Sequence, residues 1–136
     1  MSYQITTTER AGYLHFRVTG SNSAENVRAY LGEILATSKR LKCPVVMIEE
    51  NLSGPSLDIV DMYKIAAQGS AAVAPTIRAI AIVDVNPGHP HHKMQFAENV
   101  AVTRGINVRV FGSVPQAEEW AQNQAAALRA EGSQST

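Results

Sequence analysis

From Ser21 onward the sequence alternates between stretches of helical period and short, nearly continuous apolar runs. That alternation constrains the fold more than any other feature. Val27, Tyr30, Leu31, Ile34, Leu35 and Leu41 follow the i, i+3, i+4, i+7 spacing of an amphipathic helix, with Ser38 the one polar residue on the stripe. Ser21, Asn22 and Ser23 offer N-cap oxygens before it, and Lys39, Arg40 and Lys42 suit its negative end. Pro44 opens the run Val45-Val46-Met47-Ile48, continuous rather than alternating, as expected of a strand covered on both faces. A second helix is expected after the loop Asn51 to Gly54, with Pro55 in its first turn and Gly69-Ser70 near its end. Ile77 to Val85 reads as a strand stopped by Asn86-Pro87-Gly88. Helical period returns from His91 to Arg104 before Gly105, with Met94, Phe96, Ala97, Val100 and Ala101 on one side. Ile106, Val108 and Val110 alternate as a last strand, and Ser113 with Gln116 has the spacing of a capping box. The closing helix turns Ala117, Trp120, Ala121 and Leu128 inward.

Ahead of this pattern, Tyr3 to Thr8 and the alternating Leu14, Phe16 and Val18 flank a Gly12-containing link, the signature of an antiparallel hairpin. The order is β-β-α-β-α-β-α-β-α. Helices between buried strands require parallel crossovers, which are right-handed in nearly all proteins. The expectation is one α/β domain over 1–130, mostly parallel with an N-terminal antiparallel hairpin, and a disordered tail over 131–136.

Composition narrows the function. Hydrophobic residues make up 45% of the 136 and charged residues 18%, enough to bury a core. Twelve Lys and Arg balance twelve Asp and Glu, which argues against a dedicated binder of nucleic acid. A single cysteine, Cys43, excludes an intramolecular disulfide and a four-cysteine zinc site. No signal-peptide pattern or transmembrane run is visible, so a cytoplasmic protein is expected.

The stretches Ile48-Glu49-Glu50-Asn51-Leu52-Ser53-Gly54-Pro55-Ser56, Val83 to Pro87, Met94 to Glu98 and Asn107 to Phe111, together with the element order, resemble the STAS domain, and within it a SpoIIAA-like subfamily without an established role. The resemblance spans about Tyr3 to Ala121. It implies a non-enzymatic, regulatory domain that works through protein partners. In STAS antagonists a phosphorylatable serine opens the second helix within an Asp-Ser-Ser-Gly-like motif. By that resemblance Ser53, which precedes Gly54, and Ser56 are the phosphorylation candidates. The preceding aspartate is missing here, and capping preferences favour a plainer role for both serines.

Other constellations point less far. His89, His91 and His92 cluster in Gly88-His89-Pro90-His91-His92-Lys93, but neither H-x-x-x-H nor H-E-x-x-H appears. They read as an exposed polar loop and first turn, and no metal or other cofactor is expected. Glu49, Glu50 and Asp84 fall near the carboxyl ends of two strands, where open α/β sheets commonly bind ligands. Glu49 and Asp84 are the ligand-edge candidates, and no nucleophile or base completes a catalytic set. On the second helix, Met62, Ala66, Ile59, Tyr63, Ala67 and Val60 cover an arc of roughly 160° that suits the sheet, leaving Leu57 and Ile65 outside it. Leu57 and Ile65, together with Met62 at the edge of the arc, are the interaction candidates. The leading expectation is association through this helix with a protein partner or as a homodimer. The alternative is binding or sensing of a small apolar or anionic molecule at the carboxyl edge of the sheet.

Overall fold

The computed structural model describes residues 2–134. Its elements follow the expected order: β1 (Tyr3–Glu9), β2 (Leu14–Ser21), α1 (Ala24–Leu41), β3 (Val45–Ser53), α2 (Ile59–Val73), β4 (Ala79–Asp84), α3 (His91–Thr103), β5 (Val108–Phe111) and α4 (Val114–Gln134). The strands form one sheet in sequence order, with β1 antiparallel to β2 and every later pairing parallel. Three right-handed crossovers that all step in the same direction must place their helices on one face. Accordingly α1, α2 and α3 share a face, and the terminal helix α4, free of that constraint, covers the other.

Each face has its own core, divided by strand parity. Leu14, Phe16, Val18, Val46 and Ile48 pack against Val27, Tyr30 and Ile34 of α1. Val45, Met47, Ala79, Ala81 and Val83 pack against Ala117, Ala121 and Ala125 of α4, whose alanines let the helix lie close to the strands. Ser23 caps α1 by accepting from the Asn26 amide, and buried Ser38 donates to the Cys43 carbonyl. No helix among the described residues is long and apolar enough to cross a membrane.

Three expectations change. β3 continues past its apolar run to Ser53, because Thr19, Gly20 and Ser21 of β2 continue to pair with it. Helix α2 begins at Ile59, not Pro55, with Asp58 as its cap accepting from the Asp61 amide. Helix α4 runs through Glu131 to Gln134, into the expected tail, while Ser135 and Thr136 lie outside the described residues.

Candidate functional site: an apolar cavity with a polar rim

Parity along β3 sends two adjacent glutamates to opposite faces. Glu50 falls in line with Val46 and Ile48, under the crossover helices, and Glu49 with Val45 and Met47. On its side Glu49 is held by His15 Nε2 at 3.0 Å and Arg17 Nε at 3.4 Å. Asp84, the last residue of β4, pairs with Glu50 across the ladder and shares its face.

Glu50 is enclosed by protein, and what surface it keeps is on a cavity. Burial pushes its carboxyl up from the usual 4.5 to about 7; the Tyr30 hydroxyl opposes that rise, nearby Asp84 adds to it and His89 opposes it. Tyr30, fully buried on α1, donates its hydroxyl to Glu50 Oε2. Burial and the glutamate hold that phenol well above its usual range.

Beside this pair, Asn86 shapes the β4–α3 turn. The Asn86 amide N–H donates to Asp84 Oδ1 at 3.0 Å, the Gly88 N–H donates to Asn86 Oδ1 at 2.9 Å, and Asn86 Nδ2 donates to the Leu52 carbonyl at 2.7 Å. The turn swings His89 inward, where its side chain is 4% exposed. His89 Nδ1 lies 2.6 Å from Asp84 Oδ2, and Nε2 lies 2.8 Å from the Gly54 carbonyl. Both acceptors are oxygens, so only the doubly protonated imidazolium satisfies both contacts. Burial works against that charge, but the Gly54 carbonyl and the Asp84 carboxylate outweigh it and raise the pKa above 6.5. Gly54 presents its carbonyl from a backbone φ of +91°, which glycine adopts without strain. The Asp84–His89–Gly54 chain thereby ties the β3–α2 loop to the β4–α3 loop.

These groups form one end of a cavity of about 190 Å³ between the sheet and α1, α2 and α3. Its existence follows from small side chains. The inward face of α2 contributes Ala66, Gly69 and Ser70, and that of α3 contributes Ala97 and Ala101, so neither helix fills the space above Ile80 and Ile82. Those two isoleucines are consequently only half-buried. The walls are overwhelmingly aliphatic, and the polar groups Asn22, Glu50, Ser56, Asp84 and His89 gather at the carboxyl edge of the strands. Ser56 Oγ is buried without a hydrogen-bond partner. Among the described residues no cluster of three or more His, Cys, Asp or Glu side chains could hold a metal ion.

The candidates from sequence divide around this cavity. Asp84 is on its rim, and Glu49 is on the opposite face of the sheet. Leu57 and Ile65, expected on the outer side of α2, instead face inward with Met62 and line the cavity, while Ile59, Val60 and Tyr63 are exposed. Leu57 precedes the cap, and the expected arc counts the exposed Ile59, Val60 and Tyr63 as sheet-facing, whereas the inward stripe is Met62, Ile65, Ala66, Gly69, Ser70 and Val73. Ser53 donates to the Gly20 carbonyl at the end of β3, and Ser56 lies in the loop before Asp58. Neither stands at a helix start. Of the three clustered histidines, His91 and His92 are exposed as expected and His89 is not. Glu50 and His89, which the sequence places in a strand-end acidic group and a histidine cluster without making either a candidate, and Tyr30, which it places only on the apolar stripe of α1, are site residues. For Glu50 a signal is present, since strand parity from Val46 and Ile48 puts it with the crossover helices.

A five-stranded sheet in sequence order, led by an antiparallel hairpin and carrying three crossover helices on one face, defines a SpoIIAA-like α/β domain. A solved structure agrees: the chain is similar to an uncharacterised protein of the DUF3478 family with a SpoIIAA-like fold from Shewanella loihica PV-4. The TM-score is 0.50 at 20% identity, covering 88% of this chain and 94% of that one. No family model matches the sequence, and no curated protein matches it.

Proposed function

We propose that this domain binds a small, predominantly apolar molecule between its sheet and its crossover helices, as a carrier or sensor rather than a catalyst. The cavity of about 190 Å³, aliphatic along its length and polar at one end, is the observation that carries this reading. A well-packed core holds few voids larger than a water molecule, and a dry apolar cavity of about 150 Å³ accommodates benzene. The carboxyl edge of a parallel sheet is also where α/β domains commonly place ligands.

Titration of the protein with toluene, followed by methyl NMR, tests the proposal. Shifts are expected at Met62, Met94, Ile65 and Ile82, which line the cavity, with Met47 on the far face unmoved. Uniform small shifts, or none up to saturation of toluene in water, would remove the ligand reading.

A second reading, association with a protein partner or another copy, is supported by the outer side of α2. Ile59, Val60 and Tyr63 are 42%, 60% and 46% exposed there. Sedimentation of the parent and of Val60→Lys tests it: a dimer lost in the variant supports association, and a monomeric parent refutes self-association. Phosphorylation of Ser56 fits neither reading well, because a phosphate would share the cavity rim with Glu50 and Asp84.

A further inference from the structure

The polar end of the cavity offers acceptors. Glu50 and Asp84 stand there with Ser56, and His89, the one cationic side chain among the described residues of the lining, spends both ring nitrogens on Asp84 and Gly54. Asp84 is already occupied by the Asn86 amide and His89. Glu98, the remaining carboxylate of the lining, accepts from the Val110 amide through Oε2. Asn22 uses its Nδ2 on the Pro55 carbonyl. At the Tyr30 end of the rim, the Glu50 carboxyl, of which Tyr30 takes only Oε2, and the unpartnered Ser56 hydroxyl keep capacity for a ligand. An anionic head would meet Glu50, which has no cationic partner of its own, beside Asp84, which already holds His89, in a poorly solvated space where like charges repel strongly. A neutral head leaves the carboxyl without a counter-charge. A cation gives it one.

Resting on the cavity being a ligand site, we propose that its occupant is a small amphiphilic amine of roughly six to ten heavy atoms, whose ammonium group is received by Glu50 and Ser56 while its hydrocarbon body lies along Met62, Ile65, Ile82 and Ile106. The ammonium enters with its own proton. Glu50, which is about half protonated at pH 7, releases its proton to the buffer as it becomes the counter-ion, so binding at that pH liberates about half a proton.

Benzylamine, benzyl alcohol and benzoate share one ring and differ in head group, and calorimetry at pH 7 in two buffers of different ionisation enthalpy reads both affinity and proton release. Benzylamine is expected to bind at least tenfold more tightly than benzyl alcohol, with release of about half a proton, and benzoate not to bind measurably. Glu50→Gln is expected to abolish the amine preference and the proton release while retaining benzyl alcohol. Should that variant not fold, the parent's rank order and proton count decide alone. Benzyl alcohol or benzoate binding as tightly as benzylamine, or benzylamine binding without proton release, would overturn the head-group assignment and leave the apolar site standing. Failure of all three compounds together with toluene would overturn both.

Discussion

Replacing Glu50 with glutamine should make the protein more stable at alkaline pH and flatten part of its pH dependence. Burial raises the carboxyl from 4.5 to about 7 in the folded chain. Between those values the folded state holds a proton that the unfolded state has released, so stability is fully present below pH 4.5 and is lost as pH rises to about 7. At about 1.4 kcal/mol per pH unit the interval amounts to ~3 kcal/mol. The substituted glutamine keeps the side-chain volume and an oxygen for the Tyr30 hydroxyl, and it does not ionise. His89 loses stability in the same direction, since its raised pKa contributes below 6.5 and fades as pH climbs through the folded value. That contribution exists in both proteins and largely cancels in their difference. Urea unfolding of parent and variant from pH 4.5 to 8.5 measures it. The variant should gain on the parent by ~3 kcal/mol across the range, nearly all of it below pH 7.5. A flat difference would mean that Glu50 ionises freely at a wet cavity end, and one that falls with pH would mean that the folded site favours its carboxylate; either result refutes the reasoning.

His89→Asn should destabilise the fold by ~3 kcal/mol at pH 6, because it leaves Asp84 charged and without its main partner; His91→Asn with His92→Asn should stay within about 0.5 kcal/mol. Equal, small effects in chemical denaturation would show the Asp84–His89 pair to be solvent-exposed. Gly69→Ala should stabilise by about 1 kcal/mol, since the added methyl meets nothing within 4 Å and alanine favours the helix. Gly69→Leu should fill cavity space and weaken toluene binding at least tenfold, read by the same NMR titration, and unchanged affinity would contradict the location of the site. Ile82→Ala should cost about 2 kcal/mol against about 4 for Leu14→Ala, because Ile82 already borders the cavity and Leu14 is buried away from it; calorimetric melting ranks the two.

The architecture is readable from sequence because its determinants are periodic. Alternation of strand and helix period sets the element order and the number of crossovers; the handedness rule places α1 to α3 on one face only once the sheet is seen to run in sequence order. The site is harder to read, for local reasons. Asp58 outcompetes Pro55 as the start of α2 by capping the Asp61 amide, which leaves Leu57 outside the helix, and the exposed Ile59, Val60 and Tyr63 draw the apparent apolar face away from Ile65. His89 looks like one of three loop histidines. What distinguishes it is the Asn86 turn and an acceptor 35 positions earlier at Gly54, neither of which has a periodic signature. The cavity arises from Ala66, Gly69, Ser70, Ala97 and Ala101 facing one another across two helices. Small residues on a helix face read equally well as close packing, and only their three-dimensional juxtaposition shows that nothing fills the gap.

Ligand binding of any kind here depends on that gap being a preformed apolar site. Diffraction from crystals pressurised with xenon tests it most directly, since xenon enters dry cavities of this size without needing a polar partner. Xenon density is expected above Ile80 and Ile82, bounded by Ile65 and Ala66 of α2 and Ala97 of α3. An absence of xenon, with α2 settled onto Ile80 and Ile82 so that both are fully buried, would contradict it.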